Sequence, residues 1–167
     1  SGNGTGTSIV VPFPDLAVAD DVFWQDMQIS IIHNFYLAIK NKNLEVDFNG
    51  KQSLNASNLV SQFEKLLKDL EKNPSEDFEY QMAALECAKT IEFHSENKTG
   101  VLVSKPFGRV SWYMRTGEPV AWRGVGIARQ NGMLITEEPQ NLQKFPGTKP
   151  FDLFLCVEGA SGSRILR

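Results

Sequence analysis

The chain has 167 residues, of which 41% are hydrophobic and 22% are charged, and its formal net charge is −3. These values are typical of an ordinary globular protein that buries one core. They also disfavour a strongly basic nucleic-acid-binding protein. No segment of the sequence approaches the apolar length needed to cross a bilayer. Cys87 and Cys156 form no Cys-x-x-Cys motif. We therefore expect buried free thiols in a cytoplasmic protein rather than a disulfide framework or a zinc site.

The charge is unevenly distributed along the chain. Residues 1–100 contain eight lysines, no arginine and fifteen acidic residues, whereas residues 101–167 contain six arginines, three lysines and five acidic residues. Arginine is the side chain that best recognises phosphate and carboxylate groups through two parallel hydrogen bonds. The C-terminal part is therefore predicted to carry the contact surface.

The N-terminal segment combines a glycine-threonine loop, Gly4, Thr5, Gly6 and Thr7, with an apolar strand predicted over 8–13. Backbone N–H groups of such a loop can converge on a phosphate, and the threonine hydroxyls add donors. A phosphate-binding loop normally follows a strand and opens a helix, whereas this loop precedes a strand. The segment therefore predicts either part of a phosphate site or a disordered terminus.

Helical periodicity dominates the sequence up to about residue 91. Three helices and one strand are predicted: a helix of roughly twenty residues from Asp20 or Asp21, a strand over 44–48 with an Asn49-Gly50 turn, a helix from Asn55 or Ser57 to Asn73, and a helix over 77–91. The strand over 44–48 could join a later sheet.

After residue 100 the hydrophobic period changes to two, which indicates strands. The predicted strands cover 109–115, 124–129, 133–137 and 152–158, with a hairpin at Asn131-Gly132 between the middle pair. Helices followed by strands indicate an α+β fold in which a mixed or antiparallel sheet packs against helices.

The predicted strand over 124–129 has two different faces. Alternation places Arg123 and Arg129 on one face, and Gly124, Gly126 and Ala128 on the other. Glycines in a strand usually mark the close approach of a helix, a backbone or a ligand. Arg129 lies beside the hairpin turn and could reach a phosphate, although a surface arginine paired with an acidic residue is the simpler alternative.

Catalytic chemistry has few candidates in this sequence. His33 and His94 are its only histidines, which leaves little choice of base for a serine or cysteine triad. Neither has the carboxylate neighbours that a metal site would need. We therefore predict no metal site and disfavour a small hydrolase.

Three segments together resemble the GHKL (Bergerat-type) ATPases related to the MORC and MutL proteins. Residues 4–11 resemble the last conserved stretch of the ATPase domain, where a Gly-Thr pair closes the nucleotide lid. Residues 32–39 with 44–46 resemble the segment that follows that domain. Residues 123–135 resemble paired strands of the transducer domain, whose β-α-β arrangement is shared with domain two of ribosomal protein S-five.

The resemblance implies that residues 1–14 are the tail of an upstream nucleotide-binding domain, or a disordered terminus, and that 15–167 form one transducer-like domain. ATP and magnesium would then bind only in the parent protein, because the catalytic motifs of the family lie upstream. This chain would be a non-catalytic coupling domain that relays nucleotide state. Its partner would be the upstream ATPase domain, and the parent could be a homodimer.

The resemblance also assigns phosphate contacts. In this family a basic transducer residue reaches the γ-phosphate, and here Arg129 is the first candidate, Arg123 the second and Lys105 a competitor. Gly4, Thr5, Gly6 and Thr7 would contact phosphate in the parent protein.

A second interpretation does not depend on the family. The chain could be a self-contained α+β module whose arginine-rich sheet binds an acidic protein or a nucleic acid. Such binding would weaken steeply with salt and be lost on substitution of Arg109, Arg115 or Arg123.

Overall fold

The computed structural model describes residues 21–48, 52–96, 98–116, 124–128, 131–139 and 151–159, together with Gly162 and Arg164. The helices are α1 (Asp21–Lys40), α2 (Leu59–Lys72), α3 (Phe78–Ala84) and α4 (Glu86–Glu92). The strands are β1 (Val46–Phe48), β2 (Gln52–Leu54), β3 (Thr99–Ser104), β4 (Gly108–Thr116), β5 (Gly124–Ala128), β6 (Leu134–Pro139) and β7 (Phe151–Glu158). A five-stranded mixed sheet packs against these helices, so the predicted α+β class is confirmed.

The first two predicted helices are confirmed. In α1, Ile32, Tyr36 and Ile39 are buried at intervals of four and three residues, as an amphipathic helix requires. Helix α2 begins slightly later than predicted. The side chain of Asn58, immediately before it, does not cap the helix but accepts the backbone N–H of Asn55 and donates to the Ser53 carbonyl. Asn58 therefore stabilises the preceding turn.

The single helix predicted over 77–91 is wrong, because the chain breaks it at Leu85 into α3 and α4. Leu85 is fully buried, and its backbone N–H bonds to the carbonyl of Met82 three residues earlier, which tightens the turn. Five residues of α4 are buried and none of α3. The break thus lets α4 pack on the sheet while α3 stays at the surface.

The five-stranded sheet has the order β3-β4-β7-β5-β6, and all of its pairs are antiparallel except β5–β7. Strands β2 and β3 were not predicted. The strand expected over 44–48 does not join this sheet, because its observed part, β1, pairs with β2 in a separate two-stranded sheet. Strand β1 pairs with β2 because the two strands are separated by only three residues of the chain.

The glycine-rich face of β5 points towards helix α4. A Cβ atom on Gly126 would lie 2.5 Å from Cys87 Sγ and 2.9 Å from Phe154 Cδ2. The close neighbour expected at this face is therefore a helix. Helices α1 to α4 all precede the strands of the larger sheet, and the β-α-β arrangement implied by the family resemblance stays a prediction.

The predicted Asn131-Gly132 turn connects β5 to β6, which pair antiparallel as expected of a hairpin. Within the described residues, no helix combines the length and the apolar character needed to span a membrane.

The carboxylate of Glu92 connects α4 to α1. Its Oε2 accepts hydrogen bonds from Tyr36 Oη at 2.8 Å and from Lys40 Nζ at 2.7 Å. Burial raises the pKa of Glu92, but the hydrogen bonds from Lys40 and Tyr36 outweigh burial, so this pKa lies below its ordinary value. Burial, together with the Glu92 carboxylate, raises the pKa of Tyr36, which keeps the phenol protonated as a donor.

We expect Glu92→Gln to lower the free energy of unfolding by about 1–2 kcal/mol near neutral pH. Because the folded-state pKa is depressed, this stabilisation is present above the unfolded-state pKa and is lost as the pH falls through the folded-state value. Urea unfolding of both proteins between about pH 7 and pH 3 measures the difference. Glu79→Gln, at an exposed position on α3, is the control. A loss for Glu92→Gln that is as large at the acidic end as near neutrality would contradict this assignment.

Candidate functional site

Only one of the predicted phosphate-contact residues lies in the described part of the chain. Lys105 is exposed in the turn that joins β3 to β4. The other candidates lie outside the described residues: Gly4, Thr5, Gly6, Thr7, Arg123 and Arg129. Their assembly into a phosphate site stays a prediction.

Two arginines of β4, both named for the alternative interface, have different surroundings. The side chain of Arg109 is 62% exposed, and its Nε lies 2.8 Å from Glu158 Oε2. The side chain of Arg115 is 17% exposed, and its Nη2 bonds to Glu86 and, at 2.7 Å, to Asp152 Oδ2. Arg109 therefore remains accessible, whereas Arg115 is bound to carboxylates inside the protein.

Arg115 belongs to a set of four charged residues, the buried charge cluster, with Glu86, Lys89 and Asp152. Lys89 Nζ lies 2.8 Å from Glu86 Oε1, and two cations balance two anions. Burial alone lowers the pKa of Arg115, but its bonds to Asp152 and Glu86 outweigh burial and raise it, so the guanidinium stays charged. The cluster joins α4 to β4 and β7, which is a structural role.

The two cysteines and two histidines of the chain all lie in the described part of the structure. Cys87 and Cys156 are buried and form no disulfide bond, and burial together with Glu158 raises the pKa of the Cys156 thiol to about 11. A protonated thiol is a poor nucleophile. His33 Nδ1 lies 2.7 Å from the Ala84 carbonyl oxygen, and His94 Nδ1 lies 3.1 Å from that of Ile91. Among the described residues, no three His, Cys, Asp or Glu side chains form a group that could hold a metal ion.

A groove of about 700 Å³ between α1, β2 and α2 could receive a ligand. Small-molecule sites have volumes of about 300–1,000 Å³. We call it the amide groove, because four glutamines line it: Gln25 and Gln28 from α1, Gln52 from β2, and Gln62 from α2. Each amide offers both donors and acceptors, so the groove can hydrogen-bond a ligand without carrying charge.

Gln28 is the most buried of these four glutamines. The residue is 8% exposed and lines the groove, and no described residue hydrogen-bonds its side chain. Its amide atoms are not sealed off from the groove, so water or a ligand there can bond to them. Its hydrogen-bonding capacity is therefore directed at whatever fills the groove.

The rest of the groove combines one aromatic wall with one pair of opposite charges. Trp24 stacks on Phe48, with ring centroids 5.1 Å apart and planes inclined by 26°. Lys65 and Asp69 lie one turn apart on α2 and contribute opposite charges. The charged side chains thus cancel, and the groove suits a neutral polar ligand.

The sequence contained a weak signal for this groove. Gln25 and Gln28 are three residues apart on α1, while Gln62, Lys65 and Asp69 follow helical spacing on α2. Each set forms a polar stripe beside an apolar one, the usual pattern of a solvent-exposed helix face. Only the packing of α1 beside α2 turns the two stripes into the walls of one groove.

Comparison with known proteins adds no family to this picture. No protein-family model, curated protein or solved structure matches the chain. The GHKL resemblance and the coupling role it implies therefore stay predictions. The geometry of the amide groove carries the functional proposal.

Proposed function

We propose that this chain is a binding domain whose amide groove receives a neutral saccharide. The observation that carries the proposal is Gln28, a residue 8% exposed whose amide lines the groove and bonds to no described residue. Hydroxyl groups both donate and accept hydrogen bonds, as carboxamides do. A ring of hydroxyls is therefore the ligand chemistry that best satisfies a set of facing glutamines.

The composition of the groove favours a saccharide over an anion or a nucleobase. An anion would need an excess of cationic side chains, whereas Lys65 is balanced here by Asp69. A nucleobase is usually held by aromatic stacking, but one face of Trp24 already lies on Phe48. A predominantly apolar ligand would leave the amides without partners, which is costly.

The test is a titration of the whole chain with neutral saccharides, namely glucose, galactose, N-acetylglucosamine, maltose, cellobiose and lactose, followed by ligand-observed NMR. We expect saturation by at least one of them. Gln28→Ala should weaken that binding about ten-fold, the value of one hydrogen bond in a buried site. Gln81→Ala removes an amide from α3, outside the groove, and should leave the affinity unchanged.

A second readout separates a binding residue from a structural one. Because the Gln28 amide is unpaired among the described residues, Gln28→Leu should leave the thermal midpoint unchanged or raise it, while it weakens binding. If no saccharide binds, or if the alanine substitutions at Gln28 and Gln81 weaken binding equally, the proposal is wrong.

The thiols bear on where this binding takes place. Cys87 and Cys156 form no disulfide bond. Free thiols persist in reducing compartments. We therefore propose that the protein works in the cytoplasm.

A further inference from the structure

Strand β3 forms one edge of the five-stranded sheet and is unusually apolar at its surface. Val101 is 45% exposed, Leu102 58% and Val103 87%. Among the described strands, β4 is its only hydrogen-bonded neighbour. An edge strand presents a row of backbone donors and acceptors that another extended chain can pair with.

Natural proteins usually protect such an edge with a charged residue or a proline within the strand. The segment Thr99–Ser104 contains neither. Its charges lie just outside it, at Lys98 and Lys105, both of which are exposed. No described strand pairs with this edge, and it is positive at both ends.

We propose that β3 is a docking edge to which an extended segment of a partner protein adds as a sixth strand, with an apolar centre and acidic residues at both ends. The alternation of a strand places Val101 and Val103 on one face of the sheet and Leu102 on the other. An added apolar strand would cover both sets of side chains. Acidic ends would complete the site by pairing with Lys98 and Lys105.

The same lysines argue against a second copy of this chain as the occupant. In a two-fold antiparallel pairing centred between Val101 and Leu102, Lys98 of one copy would lie opposite Lys105 of the other. This contact occurs twice, and like charges directly opposite each other destabilise a strand pair. Charge complementarity thus selects an acidic partner segment.

The proposal is tested with fluorescently labelled peptides and the whole chain. The probe is the octapeptide Asp-Thr-Val-Ile-Val-Thr-Thr-Asp, whose two aspartates are spaced like Lys98 and Lys105, and the matched control replaces both aspartates with lysines. We expect fluorescence anisotropy to show at least about five-fold tighter binding of the acidic peptide, in proportion to two cross-strand ion pairs. Raising the salt concentration should reduce this preference.

Charge reversal on the protein gives the decisive comparison. The double variant Lys98→Glu/Lys105→Glu should prefer the lysine peptide, whereas Lys68→Glu/Lys72→Glu, at exposed positions on α2, should keep the wild-type preference. If the two peptides bind equally, or if neither binds, the proposal fails. It also fails if sedimentation shows a wild-type dimer that Leu102→Lys dissociates, because the occupant is then a second copy.

Discussion

Replacing Arg115 with methionine is expected to lower the free energy of unfolding by about 3–5 kcal/mol. The substitution leaves Asp152, which is fully buried, and Glu86, which is 2% exposed, without the guanidinium that both bind. Lys89 still accompanies Glu86, so the loss comes mainly from the two charge-assisted bonds of the guanidinium itself. A buried carboxylate that loses its cation cannot recover its interaction with water.

The same strand supplies a matched control. Arg109 and Arg115 lie on one face of β4, and each stands directly opposite its carboxylate partner on β7, Glu158 and Asp152 respectively. The Arg109–Glu158 pair is exposed, so Arg109→Met should cost less than about 1 kcal/mol. Urea unfolding of the two variants near neutral pH gives the comparison. Equal losses would mean that the buried charge cluster is no more important than a surface ion pair.

A double variant keeps the prediction testable if Arg115→Met alone fails to fold. Arg115→Met/Asp152→Leu removes the buried carboxylate together with the cation that it binds. Replacing a buried ion pair with apolar side chains is often neutral or stabilising. We therefore expect the double variant to be more stable than Arg115→Met alone, as measured by its urea midpoint.

These two arginines show what sequence reasoning can and cannot predict. The period of two predicted the strand over 109–115 that carries both, and that pattern depends only on neighbouring residues. Their burial differs because α4 packs on β4 and brings Glu86 to Arg115, while the side chain of Arg109 stays 62% exposed. The packing of a helix on a distant strand is a long-range property, so the sequence pattern did not distinguish the two.

The difference between local patterns and long-range packing also explains which helices and strands were predicted and which were missed. The long helices and the later strands were predicted because hydrophobic periodicity is local. The break at Leu85 was missed because an amphipathic pattern continues through it, and only contact with the sheet requires the chain to turn there. Strand β3 escaped prediction because Val101, Leu102 and Val103 form an apolar run without alternation.

The candidate site was harder to predict than the fold. The glycine-threonine loop, Arg123 and Arg129 lie outside the described residues, so the family-based site remains a prediction. The amide groove, in contrast, was not predicted at all. Glutamines on a helix face are usually exposed to solvent. A local sequence pattern does not show that a second helix packs beside them and turns them into the wall of a groove.

The second large effect is expected at the hairpin turn between β5 and β6. Gly132 has a φ of +80°, which costs a non-glycine residue about 1–2 kcal/mol. A Cβ atom at this position would also lie 2.6 Å from the backbone nitrogen of Ala38 in α1 and 2.9 Å from the carbonyl carbon of Leu37. A helix backbone cannot yield as a flexible side chain can. Gly132→Ala must therefore push the hairpin away from α1, at a cost of about 1–3 kcal/mol beyond the conformational term.

Gly108 separates these two contributions, because its φ of +77° is nearly the same. A Cβ atom there would meet only the Glu158 carbonyl oxygen, at 3.2 Å. Gly108→Ala should therefore show the conformational cost with little steric cost. The difference in unfolding free energy between Gly132→Ala and Gly108→Ala then measures how tightly the hairpin packs on α1. If the two variants are equally stable in urea, the turn does not press on the helix. The Asn-Gly pair would then be explained by turn geometry alone. We expect instead that Gly132→Ala lowers the free energy of unfolding by about 1–3 kcal/mol more than Gly108→Ala. That result would mean that Gly132 also lets the sheet approach the helix layer.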